Sequence, residues 1–362
     1  MSPPRPASYD KTVALVLQGG GALGSYQAGA YEAIAASEYP PDWVAGISIG
    51  AINAALIAGN APEKRVARLR EFWEGITRQE PPLLPAARRQ AASAQALLAG
   101  QPGFFRPRSP FAFLGNTVLS YYDTAELRAT LERLVDFDRI NSREMAFSVA
   151  AVNVQSGNFE WFDNRHTKIR ADHVMASGAL PPGFPPVEID GAFYWDGGLI
   201  SNTPLQYVLD YSPRSSRLTF QVDLFASQGP LPTTLDEVSE REKDIRYSSR
   251  TRAGDSQARE THALRFTVNA LWEKLPPELK TTPEARYLYN FGCVTTMDIV
   301  QLIYRPRERQ GASKAYEFSR QTMEERWAQG RADTLATLEA APWLAPMPPD
   351  LGARSFDVLR PG

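Results

Sequence analysis

Lys11-Thr-Val-Ala-Leu-Val-Leu-Gln-Gly-Gly-Gly-Ala-Leu-Gly24 begins with a short apolar run rich in β-branched residues and stops on three glycines. Such a run, bounded at once by turn residues, reads as a strand buried on both faces, the kind that builds parallel sheets. From Ser25 to Ser37 small and apolar residues fall at helical spacing, and Tyr39-Pro-Pro-Asp42 ends them. The unit then repeats. Trp43-Val-Ala-Gly-Ile47 is strand-like, and Ile49 to Gly59 is an Ala-rich helix whose only polar side chain is Asn53. Two βα units in sequence imply a parallel sheet covered by helices on both faces.

Outward from this nucleus the rhythm changes. Residues 79–122 hold clustered prolines, an Ala-rich piece from Ala86 to Ala99, and Phe104, Phe105, Phe111 and Phe113. This is an insertion over the sheet and a candidate lid or lipid-contacting flap, with aromatics packed under a long loop as the competing reading. Thr124 to Leu134 reads as a helix capped by Asp123, and Met145 to Val154 as a strand that turns at Gly157-Asn158 into Phe159–Phe162. A helix follows Asp172, then a strand Phe193-Tyr-Trp195 that runs into Asp196-Gly-Gly198. Residues 10–225 are thus expected to form one domain. Residues 226–362 form a mostly helical appendage: a long charged helix from Leu235 to Lys274 with a break near Gly254, a strand near 297–304 able to join the first sheet, and a helix from Lys314 to Leu338.

Composition bounds the function. With 362 residues, 43% of them apolar and 22% charged, the chain can bury a sizeable core. A net charge of -2 gives no whole-chain footprint for nucleic acid, and contact with anionic lipid would need a local patch. One cysteine, Cys293, allows no internal disulfide and no four-cysteine zinc site, which fits a reducing compartment. There is no apolar run of membrane-spanning length, and Met1-Ser-Pro-Pro-Arg-Pro6 lacks the layout of a signal peptide. The expectation is a cytoplasmic protein, peripheral at a membrane at most, with export by a route that uses no signal peptide left open.

Two glycine motifs carry chemistry. Gly46-Ile-Ser-Ile-Gly50 matches the G-x-S-x-G elbow, in which a serine occupies a strained turn between strand and helix and flanking glycines let the backbone close up. The competing reading is an ordinary serine N-cap. Gly19, Gly20 and Gly21, ahead of a helix, offer consecutive backbone N–H groups to an anion, either a phosphate or the oxyanion of an attacked ester. Gly19, Gly21 and Gly24 also meet the dinucleotide pattern, with Glu38 as the ribose acid, but that reading leaves the elbow idle. For a base the chain offers His166, His173, His262 and, in a tight loop after a strand, Asp196.

In order, spacing and setting, Gly19-Gly-Gly-Ala-Leu-Gly24, Gly46-Ile-Ser-Ile-Gly50 and Asp196-Gly-Gly198 resemble the patatin-like phospholipases, as do Ala176-Ser-Gly-Ala-Leu-Pro181 and Ser201-Asn-Thr-Pro204. The resemblance covers residues 10–225, and the appendage is similar to that of a bacterial branch of the family. It implies a three-layer α/β/α hydrolase with a mostly parallel sheet. It also implies a Ser48–Asp196 dyad, an oxyanion hole at Gly19, Gly20 and Gly21, a lipid acyl ester as substrate, and neither metal nor cofactor. Leu23 departs from the Arg or Lys frequent there, so the electrostatic help of that side chain is missing while the backbone donors are kept. The rival functions are a carboxylesterase or acyltransferase on soluble esters using the same dyad, and a non-catalytic membrane or protein adaptor.

Overall fold

The computed structural model describes residue 6 and residues 9–79, 85–114, 118–348 and 351–360; the leader Met1–Arg5 and parts of the 79–122 insertion lie outside these. Along the chain run β1 (Thr12–Leu17), α1 (Ser25–Ala35), β2 (Trp43–Gly46), α2 (Ile49–Ala58), α3 (Arg65–Ile76) and α4 (Pro85–Ala99). A short ribbon, β3 (Arg106–Pro107) and β4 (Tyr122–Asp123), brackets the insertion's tip, and α5 (Ala125–Leu134) and α6 (Phe137–Ser142) follow. Next come β5 (Ala146–Asn153), β6 (Phe159–Asp163), α7 (Ala171–Ser177), β7 (Val187–Ile189), β8 (Ala192–Asp196), α8 (Leu205–Asp210) and β9 (Arg217–Asp223). The remainder is α9 (Leu235–Lys274), α10 (Pro277–Lys280), α11 (Pro283–Phe291), β10 (Met297–Ile303), α12 (Arg320–Ala340) and β11 (Ala353–Phe356).

Nine strands form the main sheet, in the order β11-β10-β9-β1-β2-β5-β8-β7, with β6 also on β5. From β11 to β5 every pairing is parallel; β6, β7 and β8 are antiparallel. The two-residue period of β1 explains the three layers. Val13, Leu15 and Leu17 enter one core with α1, α2 and α12, while Ala14 and Val16 enter a second with Trp43, Leu205, Val208 and Leu209. The fold is the mostly parallel α/β/α architecture expected from the two opening βα units.

Several local expectations change. α9 is continuous for 40 residues and does not break at Gly254, because one glycine inside a long helix costs only about 1 kcal/mol. The last helix starts at Arg320, where Ser319 accepts from the Thr322 N–H as N-cap, and Lys314–Tyr316 is a separate 3-10 turn. The N-cap of α5 is Thr124, with the Asp123 carboxylate accepting from the Ala125 N–H at 2.8 Å. The insertion's aromatics divide: Phe104 and Phe105 are buried, whereas Phe111 and Phe113 are exposed.

Beyond residue 225 the chain is built into the core. β10 lies against β9, and α12 packs along α1. Gly29 and Gly330 permit that approach, since a Cβ on either would collide with the backbone of the facing helix. Trp327 of α12 is buried there, its indole N–H on the Glu32 carboxylate and the Arg70 guanidinium 3.8 Å from its ring.

Candidate active site

The elbow stands at the carboxyl end of β2. Ser48 has φ 56° and ψ -124°, left-handed backbone that a side-chain-bearing residue adopts only at a cost of about 1–3 kcal/mol. The surroundings hold it there. The Ser48 N–H donates to the carbonyl and the Oγ of Ser177, both at 3.1 Å. A Cβ on Gly46 would strike the Gly50 carbonyl within the turn, and one on Gly50 would strike the Leu17 carbonyl at the end of β1. Ser48 sits at the N-cap of α2 yet makes no side-chain cap bond, so its hydroxyl is not used up as an ordinary cap.

Sheet register brings the second group level with it. Gly46 pairs with Val149 on β5, and two residues further along β5 Ala151 pairs with Asp196 on β8. Ser48 is likewise two residues beyond Gly46, and the two side chains line the same pocket, where the Ser48 hydroxyl lowers the pKa of the Asp196 carboxylate. Asp196 Oδ1 also accepts from the Gly198 N–H at 2.7 Å, and its own N–H donates to Ala179 O at 3.0 Å. Only 2% of Asp196 is exposed. Burial pushes its pKa up to about 7, with the bonds from Gly198 and Ser48 pulling the other way.

The three glycines differ in what they do. The Gly19 N–H already donates to Asn202 O at 3.1 Å, and Asn202 Nδ2 donates back to Gly19 O at 2.9 Å. Gly19 is thus pinned beside Ser48, whereas among the described residues no acceptor takes the N–H of Gly20 or Gly21. Gly21 has φ +57° and lies so close to the Ala315 carbonyl that a Cβ would collide with it.

The histidines lie elsewhere. His166 Nε2 is 2.9 Å from the Tyr211 hydroxyl. His173 is buried, Nδ1 accepting from the Arg170 N–H at 2.9 Å, and burial lowers its pKa. His262 packs inside α9, Nε2 2.7 Å from Thr295 O and Nδ1 3.8 Å from Cys293 Sγ. None of them lines the Ser48 pocket. Among the described residues no group of three or more His, Cys, Asp and Glu is placed to hold a metal. The dinucleotide reading also loses its acid, because Glu38 precedes β2 and does not stand at its carboxyl end.

Ser48, Asp196, Gly20 and Gly21 open onto one cavity of about 130 Å³. One part of the lining is apolar, with Phe104, Phe105, Phe184 and Phe318; a second part holds Lys243, Tyr247, Lys314 and Tyr316, and these four, like Phe318, come from beyond residue 225. Burial raises the pKa of Tyr316, and the charge of Asp196 adds to this. This second wall, Asn202 and Ser177 were not marked as site residues by the sequence. No spacing in 226–362 marks it, since it is assembled by the docking of α9 and the 314–318 segment.

A family model described as patatin-like phospholipase matches residues 15–209, more than half of the chain. The chain belongs to the patatin-like phospholipases. A second model, described as patatin phospholipase, matches residues 245–350. Among curated proteins no match is found. Similar solved structures include VipD from Legionella pneumophila (14% identity, 93% of this chain and 67% of that chain, TM-score 0.40). Human GIVD cytosolic phospholipase A2 (13%, 58% and 43%, 0.32) and ExoU of Pseudomonas aeruginosa in complex with SpcU (15%, 68% and 51%, 0.29) are others. At these identities and TM-scores the family assignment rests on the sequence models. As a patatin-like phospholipase the protein is a lipid hydrolase, and among its described residues no helix is long and apolar enough to cross a membrane.

Proposed function

We propose that this patatin-like protein is a serine acyl hydrolase of the phospholipase A or lysophospholipase type, working through a Ser48–Asp196 dyad. The observation that carries the reading is a strained, uncapped Ser48 sharing one pocket with a buried Asp196, whose pKa burial raises to about 7. A base with that pKa is partly ionised at neutral pH and still basic enough to take the serine proton. Ser48 Oγ attacks the ester carbonyl while its proton passes to Asp196. The tetrahedral oxyanion takes hydrogen bonds from the Gly20 and Gly21 N–H groups; the alcohol leaves with the proton, and water releases the fatty acid from Ser48 by the reverse sequence.

The apolar Phe104–Phe105–Phe184–Phe318 wall favours an acyl chain over a small soluble ester. An exposed apolar rim, Phe111 at 80% and Leu114 at 84%, belongs to the segment whose Tyr121 and Tyr122 N–H groups bond Pro182 and Gly183 beside Phe184. That rim supports peripheral contact with a lipid surface. The test is fatty acid release from micellar phospholipid beside hydrolysis of a short soluble ester, each with Ser48→Ala as control. Faster turnover of the short ester would favour the carboxylesterase reading. Absence of serine labelling by a fluorophosphonate on folded protein would favour the adaptor.

A further inference from the structure

The chain has seven lysines against 32 arginines, and two of the seven, Lys243 and Lys314, line the pocket that holds Ser48. Their surroundings differ. Lys314 Nζ is buried and neutralised, donating to Asp244 Oδ1 at 2.6 Å and Glu240 Oε1 at 3.2 Å. Lys243 is half-buried on α9, and its ammonium donates to the Ala312 carbonyl at 2.8 Å and lies 6.0 Å from the centre of the Tyr316 ring. No carboxylate pairs with it among the described residues. The acids around it in sequence are committed elsewhere: Glu240 and Asp244 to Lys314, and Glu242 to Arg246.

An ammonium partly withdrawn from water, with no carboxylate bonded to it and two N–H bonds still to give, can hold an anion beside it. The clustered phenylalanines of the same lining, Phe104, Phe105, Phe184 and Phe318, offer aromatic carbon to the rest of the ligand. The same lining thus holds an ammonium on α9, an apolar group of phenylalanines around Phe104, and Ser48. We infer that Lys243 sets headgroup specificity: it holds the phosphate of an anionic lipid on the α9 side and thereby lays the acyl chain along the phenylalanine wall. The inference rests on the proposed function for the bond that is cut, though not for the binding itself. It gives residues 226–362 a task, since the headgroup contact comes from α9.

The test is equilibrium binding in a Ser48→Ala background, so that no ligand is consumed. Lysophosphatidic acid and monoacylglycerol of the same chain length are compared below their aggregation concentrations. The preference for the phosphate-bearing ligand should fall about tenfold in Lys243→Gln, as expected for one hydrogen bond to a charged group. It should be largely kept in Lys243→Arg. An unchanged preference in Lys243→Gln, or an equal loss for both ligands, would overturn the assignment. If binding behaves as stated while the wild type releases no fatty acid, the hydrolytic reading fails and this one stands.

Discussion

Arg326 of α12 donates Nη1 to the Ala22 carbonyl at 3.1 Å and to the Glu317 carbonyl at 3.2 Å, while Nη2 reaches Lys314 O at 3.1 Å. One buried guanidinium thus joins the turn after the glycine loop to the segment that forms the pocket's second wall. Its carboxylate neighbour, Glu317 Oε2, is 3.7 Å away and equally buried. Arg326→Met should destabilise the protein by about 3–5 kcal/mol, because it leaves a buried charge and several carbonyls without a donor. Denaturant unfolding measures this, and a loss under about 1 kcal/mol would contradict the role.

Gly20→Ala and Gly21→Ala should fail in different ways. A Cβ on Gly20 meets only the Leu224 side chain, at 2.6 Å from Cδ1, which can turn aside. The fold should survive with kcat reduced roughly 10²-fold or more by a disturbed oxyanion donor. A Cβ on Gly21 meets backbone at Ala315 and sits at φ +57°, so stability falls first. Thermal melts beside steady-state kinetics separate the two, and a Gly20→Ala protein with normal kcat would place the oxyanion elsewhere.

The pH dependence follows from Asp196. Its pKa near 7 means that kcat/KM should drop about tenfold per pH unit below 7 and level off above it. Stability runs the opposite way. The folded carboxyl holds a proton that the unfolded chain releases near 3.8, so its contribution is full below that pH and is lost as pH rises through 7. The cost of the buried charge above pH 7 is of the order of 4 kcal/mol. Asp196→Asn should therefore be more stable than wild type at pH 8 and about 10²–10⁴-fold slower. Equal stability of the two at pH 8 would show that Asp196 is not held at a raised pKa.

Both ends of this arrangement were legible in the sequence to different degrees. β1, β2 and their glycine turns could be read because buried parallel strands are short apolar runs and tight turns need glycine. Asp196 is legible as a candidate base from its tight loop after a strand, and its pairing with Ser48 from the resemblance; its place beside Ser48 depends on the register of β5 with β8, which no local pattern encodes. β9 went unassigned because Thr219 and Gln221, polar but fully buried, interrupt its apolar pattern. The α9 wall could not be read at all, as its members are scattered over a continuous charged helix and a 3-10 turn.

The buried and the exposed apolar residues of the insertion should respond differently. Phe104 lines the cavity, so Phe104→Ser should impair hydrolysis of a short soluble ester as well as of vesicles. Phe111 and Leu114 face solvent, and replacing both with Ser should lower activity on vesicles at least several-fold while the short ester is hydrolysed as before. Equal activity of that double variant on vesicles would remove the rim from lipid contact.

The central claim is that Ser48, with Asp196 as its base, carries the acyl group. The most direct measurement is fatty acid release from phospholipid by wild type and by Ser48→Ala, with folding of both checked by circular dichroism and thermal melt. The account predicts a folded variant whose rate is down at least ~10³-fold, the scale seen when a serine nucleophile is removed. A folded Ser48→Ala protein that releases fatty acid at near the wild-type rate would contradict it.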